Sequence, residues 1–297
     1  MSDNPDRLVE LSGDEKDLLV KRKATCPFLG SAVAQGDLAV RNEAQNPLAS
    51  IEDLRRLGNS GGGDLGDLLA FFAGGNHALM RGGTGKLDTS APANLFSLDL
   101  PGSQGSHPGH SGILQGDPEM LDSGRMSEPD FNRLLSHAQD GLIRRSEVGR
   151  FIAENLIKDP RSKVADLNTA ELLAGDFANL VETTGSTLVS KLFGTGKGGG
   201  KTHRDVEEKL TRLTGENNLV GSSGEFGLLF AFFANKPGAK KIQGEPALEV
   251  ADLKSMFVEK RLPNGWETWK KSRADWVTNT TGLLLSAAKE YHKLKGQ

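Results

Sequence analysis

The chain has 297 residues, enough for one large domain or two ordinary ones, and 36% of them are hydrophobic, which suffices for a core. The net charge of −3 indicates no broad basic surface for nucleic acid, and no apolar run approaches the roughly 20 residues that span a bilayer. Because the charged N-terminus lacks a secretory signal and a single cysteine leaves no internal disulfide, we expect an intracellular protein.

Apolar residues at helical spacing predict a mainly α protein with long irregular loops and little sheet. The predicted helices cover residues 27–35, 50–57, 64–73, 128–138, 145–156, 168–185, 203–213, 224–235, 248–260 and 266–293. Ser50 is expected to cap the second helix, with Asp53 three residues later. A charged segment, residues 1–23, precedes a single domain over 24–297, and the stretch from about 74 to 127 is expected to be irregular.

The glycine-rich segment "GTGKGGGKT" at residues 194–202 invites interpretation as a phosphate-binding loop. Thr195, however, stands where that motif needs its first glycine, and Gly194 lies one residue too far out. The preceding residues also make a poor buried strand. A flexible surface loop or hinge is therefore the favoured interpretation, with nucleotide binding as the weaker one.

A second loop, "SHAQDGLIRRSE" at residues 136–147, matches the calcium-binding EF-hand pattern at several positions. Gly141, Ile143 and Glu147 occupy its sixth, eighth and twelfth positions, and helical patterns flank it. Positions one, three and nine carry Ser136, Ala138 and Arg144. Too few oxygen ligands remain for calcium, so the segment predicts a tight helix–turn–helix without a metal.

Cys26 directly precedes Pro27, and proline is favoured at the first position of a helix. Cys26 is therefore the expected N-cap, with the N–H groups of Phe28, Leu29 and Gly30 directed at its sulfur. That placement predicts a lowered thiol pKa and a thiolate suited to a soft metal such as haem iron. The alternative is a buried structural cysteine.

The stretch "CPFLGSAVAQG" resembles the proximal segment of the haem-thiolate peroxidase family, which includes fungal chloroperoxidase and the unspecific peroxygenases. Three later stretches are similar to further family segments in the same order. They are "FSLDLPGSQGSHPGHSGILQGD" (96–117), "SSGEFGLLFAFFAN" (222–235) and "MFVEKRLPNGW" (256–266). These resemble the distal acidic motif, the helix with the distal glutamate, and a near-terminal Glu-Arg-Leu-Pro-x-Gly-Trp signature. The resemblance spans roughly residues 24–270 and implies a haem-thiolate peroxidase-like fold.

The chain departs from the family at two places. Thr25 stands where the family usually has a proline before the cysteine. When the distal segment is aligned on Asp117, Pro108-Gly109-His110 replaces the acidic triplet that helps to hold a cation near a haem propionate. Magnesium is therefore not assigned to this segment.

The resemblance implies a peroxide-dependent enzyme with haem b, in which Cys26 is the proximal iron ligand and Pro27, Phe28 and Leu29 lie beside the cofactor. Glu225 is implied as the distal acid–base group, with His110 or His107 as its partner. An apolar distal wall is assigned to Phe71, Phe72, Phe226 and Phe230. The implied substrates are hydrogen peroxide and a small apolar or aromatic organic molecule.

Each assignment has an alternative. His107 and His110 could be exposed loop residues or a His-x-x-His metal pair, and His77 is a weaker pocket candidate. Glu225 could be an ordinary carboxylate near a helix N-terminus. For the whole protein, the alternatives are a haem-thiolate protein with a non-peroxide reaction and a non-catalytic helical module resembling an EF-hand.

Overall fold

The computed structural model describes residues 6–24, 26–43, 46–70, 77–80, 94–101, 126–158 and 219–296. Within these residues the protein is mainly helical and has two small sheets, in agreement with the predicted class. The predicted helices at 168–185 and 203–213 and the glycine-rich segment 194–202 lie outside the described residues.

The helices are α1 (Gly13–Leu18), α2 (Pro27–Gln35), α3 (Ile51–Gly58), α4 (66–70), α5 (Glu128–Ser136), α6 (Arg145–Lys158), α7 (Leu219–Phe233), α8 (Val250–Phe257) and α9 (Arg273–Lys295). A π-helical turn, Leu19–Lys23, continues α1, and short 3₁₀ turns cover Ser60–Gly62 and Trp266–Thr268. The strands are β1 (Arg41–Glu43), β2 (Asn46–Ser50), β3 (His77–Met80), β4 (Leu95–Pro101), β5 (Leu142–Arg144), β6 (Lys241–Ile242) and β7 (Glu245–Glu249). Neighbouring strands are antiparallel in both sheets, with the orders β1-β2-β4-β3 and β5-β7-β6.

The predicted cap of α3 is confirmed. The Ser50 hydroxyl accepts hydrogen bonds from the backbone N–H groups of Glu52 and Asp53, at 3.1 and 3.4 Å. Two N–H groups that α3 itself cannot pair are thereby satisfied, which fixes where the helix begins.

The prediction that residues 74–127 are irregular is wrong where β3 and β4 lie. Leu95, Phe96, Ser97 and Leu98 of β4 are all at most 2% exposed, so the strand is covered on both faces. Phe96, Leu98 and Leu100 alternate with Ser97 and Asp99, so the sequence did carry a strand signal within the stretch expected to be irregular.

Three predicted helices have different bounds in the structure. The segment 248–260 enters α8 from β7, in which Leu248 pairs with Ile143 of β5. The segment 266–293 is divided, because the backbone is extended at Trp269 and again at Ser272 before α9 begins. The helix predicted from residue 224 starts earlier, at Leu219.

Helix α9 packs against both α6 and α7, and glycines permit the close approach. A Cβ atom added to Gly227 of α7 would lie 2.0 Å from the Thr280 hydroxyl oxygen, and one added to Gly149 of α6 would lie 2.4 Å from that of Ser286. Larger residues at either glycine would push α9 outwards.

The charged N-terminal segment is joined to the rest of the protein. Leu19 and Val20 are buried in the main core, and Leu8 forms an antiparallel bridge with Arg41 next to β1. Leu19 and Val20 therefore contribute to the same core as α2 and α7, whereas Leu8 is 64% exposed.

Candidate functional site around Cys26

Cys26 is the N-cap of α2, as predicted. Its backbone is extended (φ −99°, ψ 124°), and Pro27 occupies the first turn of the helix. The residue is half-buried and packs against the main hydrophobic core. The sequence thus fixes the local geometry, since proline needs no N–H partner at this position.

The predicted lowering of the thiol pKa is wrong for the protein without a bound metal. Burial raises the pKa of Cys26 to about 11, although the backbone N–H groups of Leu29 and Phe28 act in the opposite direction. Burial disfavours a charged sulfur more than the helix terminus favours it. Whether a thiol is buried is a property of tertiary packing, which the dipeptide Cys26-Pro27 does not reveal.

Helix α7 brings Glu225 towards this thiol. The ring of Phe28, two residues after Cys26, contacts the edge of Phe232 on α7, with centroids 5.5 Å apart. Glu225 precedes Phe232 by seven residues, close to two turns, and so lies on the same side of α7. The half-buried Glu225 is near enough for its carboxylate to raise the thiol pKa by charge repulsion. Two residues assigned separately from the sequence, Cys26 and Glu225, are therefore within electrostatic range of each other.

Lys260 is a third member of the site, and sequence reasoning missed it. It is only 7% exposed and has a left-handed backbone (φ 53°), which is uncommon for a residue other than glycine. Burial lowers the pKa of Lys260, and Cys26 acts to raise it. Its position inside the "EKRLPNGW" signature was the available signal, but a lysine in that pattern does not by itself indicate burial.

Backbone and side-chain hydrogen bonds fix the segment that carries Lys260 against α2. The Leu262 N–H donates to the Gln35 side chain at 2.6 Å, and the Ser31 hydroxyl donates to the Met256 carbonyl at 3.3 Å. Ser31 and Gln35 are four residues apart and therefore lie on one face of α2. The end of α8 and the residues after it are thus held along α2.

Aromatic rings fill the space between α2, α7 and the 3₁₀ turn that starts at Trp266. Trp266 meets the edge of Phe28 at 5.7 Å and stacks with Phe232 at 5.9 Å. The Trp269 indole N–H donates to the Phe232 carbonyl at 2.7 Å. The signature tryptophan therefore packs directly behind the residues next to Cys26.

A second buried lysine, Lys271, lies against this aromatic cluster. Its ammonium is 4.7 Å from the centre of the Trp266 ring, and it donates to the Ser60 hydroxyl at 2.8 Å. The residue is 1% exposed. Burial lowers the pKa of Lys271 to about 8, while the nearby Glu267 acts to raise it.

The other predicted site residues lie in the main core, in β3 or outside the described part of the chain. Phe226 and Phe230 are each 1% exposed and belong to the main core, where Phe226 meets Phe151 of α6 at 6.0 Å. His77 is the first residue of β3, and its backbone pairs with Pro101. The residues outside the described part of the chain are Phe71, Phe72, His107, Pro108, Gly109 and His110.

The EF-hand-like segment forms the predicted helix–turn–helix between α5 and α6. Gly141 has the left-handed backbone (φ 75°) that the sharp turn requires, and Ile143 is fully buried. The Glu147 carboxylate at the twelfth position accepts hydrogen bonds from Arg144. In the described ranges no group of three or more His, Cys, Asp or Glu residues is arranged to hold a metal ion.

Comparisons with known proteins give no further assignment. No protein-family model, curated protein or solved structure matches the chain. Among the helices that the structure describes, none combines the length and the apolar character needed to cross a membrane.

Proposed function

We propose that the protein is a haem-thiolate peroxidase or peroxygenase in which Cys26 is the axial ligand of haem b. The observation that carries the proposal is that Glu225 on α7 lies close enough to Cys26, at the start of α2, for its charge to act on the thiol. The two residues fall in separate segments that resemble the same family. Their proximity in the fold supports the shared assignment.

The residues around Cys26 suit such a cofactor. A porphyrin brings four nitrogen ligands of its own, so one protein thiolate completes the axial coordination. Phe28 and Leu29 are buried apolar residues that can contact a flat hydrophobic ring. A thiol with a pKa near 11 is protonated at neutral pH, and the positive charge of ferric iron would favour its ionised form.

The bound haem would supply a redox-active iron whose thiolate ligation favours cleavage of the peroxide O–O bond. Cys26 would contribute that thiolate. Glu225 would accept a proton from hydrogen peroxide and return it to the leaving oxygen. The buried Lys260 would place a positive charge near the sulfur and limit excess negative charge there. The aromatic cluster behind Phe28 would exclude water from the sulfur side.

The distal partners of Glu225 and the substrate wall belong to the same proposal. His110 or His107 would assist Glu225. Phe71 and Phe72 would form the apolar wall, whereas Phe226 and Phe230 are 1% exposed in the main core and would support it from behind. A small apolar or aromatic substrate fits that composition. Oxygen insertion and one-electron oxidation are both consistent with it.

Absorption spectroscopy of the full chain, purified after expression with a haem supply, tests the proposal. We expect one haem per chain and, in the reduced carbon monoxide complex, the long-wavelength Soret band of thiolate ligation. Cys26→Ala should lose that band. The matched variant Glu225→Gln should keep it and lose at least about 100-fold in peroxide turnover. A thiolate spectrum that persists in Cys26→Ala, or a wild-type chain that binds no haem, would contradict the proposal.

A further inference from the structure

Two helix–loop–helix units of the protein are joined through their loops. The first comprises α5 and α6, the second α7 and α8, and their loops pair through β5 and β7. At the centre of this pairing, Ile143 faces Leu248, and both are at most 1% exposed. This is the arrangement in which calcium-binding loops pair, with the eighth residue of each loop in a short antiparallel ladder. Four residues further on in each loop are Glu147, the twelfth residue of the first loop, and Asp252, its counterpart in the second. The second loop lacks the rest of the calcium pattern, since Lys241 and Pro246 stand where the first and sixth residues would be.

In the first loop, the Arg144 side chain binds the carboxylate of Glu147, the residue at the twelfth position. Glu147 accepts hydrogen bonds from the Arg144 backbone N–H at 2.5 Å and from its Nε at 2.6 Å, and the Nη2 atom also binds the carboxylate. The hydrogen bond to Glu147 raises the pKa of Arg144, and Glu245 of β7 adds to this effect by its charge. One guanidinium thus stands beside two carboxylates.

In the second loop, the Lys236 ammonium binds the carboxylate of Asp252. The Lys236 Nζ lies 2.9 and 2.7 Å from the two oxygens of Asp252 and 3.1 Å from an oxygen of Glu249. Burial raises the pKa of Asp252 more than Lys236 lowers it. The Asp252 carboxylate, at a side-chain exposure of 10%, therefore depends on a nearby positive charge to stay ionised.

We propose that Arg144 and Lys236 are tethered cations that occupy the places of bound divalent ions, Arg144 in a calcium-type loop and Lys236 beside the loop paired with it. The twelfth residue of such a loop binds the metal through both carboxylate oxygens, and Asp252 binds the Lys236 ammonium in the same two-oxygen manner. Each cation also contacts or faces a glutamate of β7. This proposal is independent of the haem assignment, because none of these residues contacts Cys26.

The geometry of the second loop makes the proposal testable by substitution. Asp252 and Glu249 both lie within 3.1 Å of one nitrogen atom, so an ion in that place can reach both carboxylates. Calcium binds oxygen at about 2.3–2.6 Å and accepts carbonyl and water ligands beside carboxylates. If the ammonium is removed, calcium should therefore bind where Lys236 was and restore the lost stability.

The experiment is thermal unfolding of the full chain, with Lys236→Ala as the test variant and Lys240→Ala, an exposed lysine nearby, as the control. The wild type and the control should have the same Tm in EDTA and in about 10 mM CaCl₂, a concentration above the millimolar Kd of weak calcium sites. Lys236→Ala should lose about 4 °C in EDTA, and calcium should restore at least half of that loss. Magnesium should restore less, because it needs a stricter octahedral geometry.

Two results would overturn the proposal. One is a Lys236→Ala variant whose Tm does not respond to calcium more than that of Lys240→Ala. The other is a wild-type Tm that falls in EDTA, because the native loops would then hold a metal. If Lys236→Ala does not fold, Lys236→Gln is judged by the same criteria. The double variant Lys236→Ala/Asp252→Asn should lose the calcium response, which assigns the response to this loop.

Discussion

Lys236 and Lys271 are two largely buried lysines whose side chains have different neighbours. Burial acts to lower the pKa of Lys236, but hydrogen bonds to Asp252 and Glu249 raise it above the ordinary lysine value. Lys271 lies against Trp266 and the Ser60 hydroxyl, and burial lowers its pKa to about 8. Ring faces and a hydroxyl therefore compensate the loss of water less well than carboxylates do. The charge of Lys236 has a structural role, whereas at Lys271 packing of the side chain matters more than its charge.

Removal of an aromatic ring beside Lys271 should have the largest effect. Trp266→Ala deletes a side chain that is 4% exposed and contacts both Phe28 and Phe232, so it should cost about 3–5 kcal/mol in the free energy of unfolding. Chemical denaturation measures this cost. Trp266→Phe keeps most of the volume and serves as the control, with a smaller loss. A cost below about 1 kcal/mol for Trp266→Ala would show that the cluster is loosely packed.

Replacement of each lysine by methionine tests the comparison directly. Lys236→Met leaves Asp252 without its cation and should destabilise the protein by about 2 kcal/mol, less than for a fully buried pair. Lys271→Met keeps an apolar chain of similar length against the rings and should change stability by less than about 1 kcal/mol. Equilibrium unfolding at pH 7 gives both values. Equal losses for the two variants would contradict the proposed difference between charge and packing.

The pH dependence of stability should differ between the two regions. Lys271 has a pKa of about 8 in the folded protein against an ordinary value of 10.5, so the unfolded chain binds more protons between these two values. Its contribution to stability should therefore increase as the pH rises from about 8 towards 10.5, and this increase should be absent in Lys271→Met. The comparison of unfolding curves for the two proteins across that range isolates the effect, since all other titrating groups are shared. If Lys271→Met and the wild type had the same pH profile, Lys271 would be exposed to water in the folded protein and the prediction would be wrong.

The smallest expected effect concerns the reactivity of Cys26 in metal-free protein. With a pKa of about 11, the thiol should react slowly with iodoacetamide at pH 8, and its reaction should accelerate up to about pH 11. Glu225→Gln should increase the rate at a given pH because it removes a repelling charge, and Lys260→Met should decrease it. Mass spectrometry of the alkylated chain measures the rates. A slower reaction in Glu225→Gln or a faster one in Lys260→Met would contradict the charge arrangement around the sulfur.

Local sequence signals predicted several features of the fold and the site. Ser50 caps α3 and Pro27 begins α2, since both depend only on the residues next to them. The register of Gly141 and Ile143 in the helix–turn–helix followed from spacing in the same way. These features need no knowledge of which parts of the chain later meet.

Features that depend on tertiary contacts were missed. The sign of the Cys26 pKa shift was wrong because burial is created by α7 and the segment after α8, more than 190 residues away in sequence. Lys260 and Lys271 are buried although lysine is among the residues most often exposed. Strand β4 was missed although residues 96–100 alternate between apolar and polar side chains.

The contacts of Phe28 have a consequence for the order in which the protein can be assembled. Its ring packs against Phe232 and Trp266, which are made more than 200 residues later in synthesis. Chains are synthesised from the N-terminus, so α2 exists long before the residues that enclose it. The ring of Phe28, on the first turn after Cys26, therefore stays uncovered until the segment that carries Phe232 and Trp266 has emerged and folded against it.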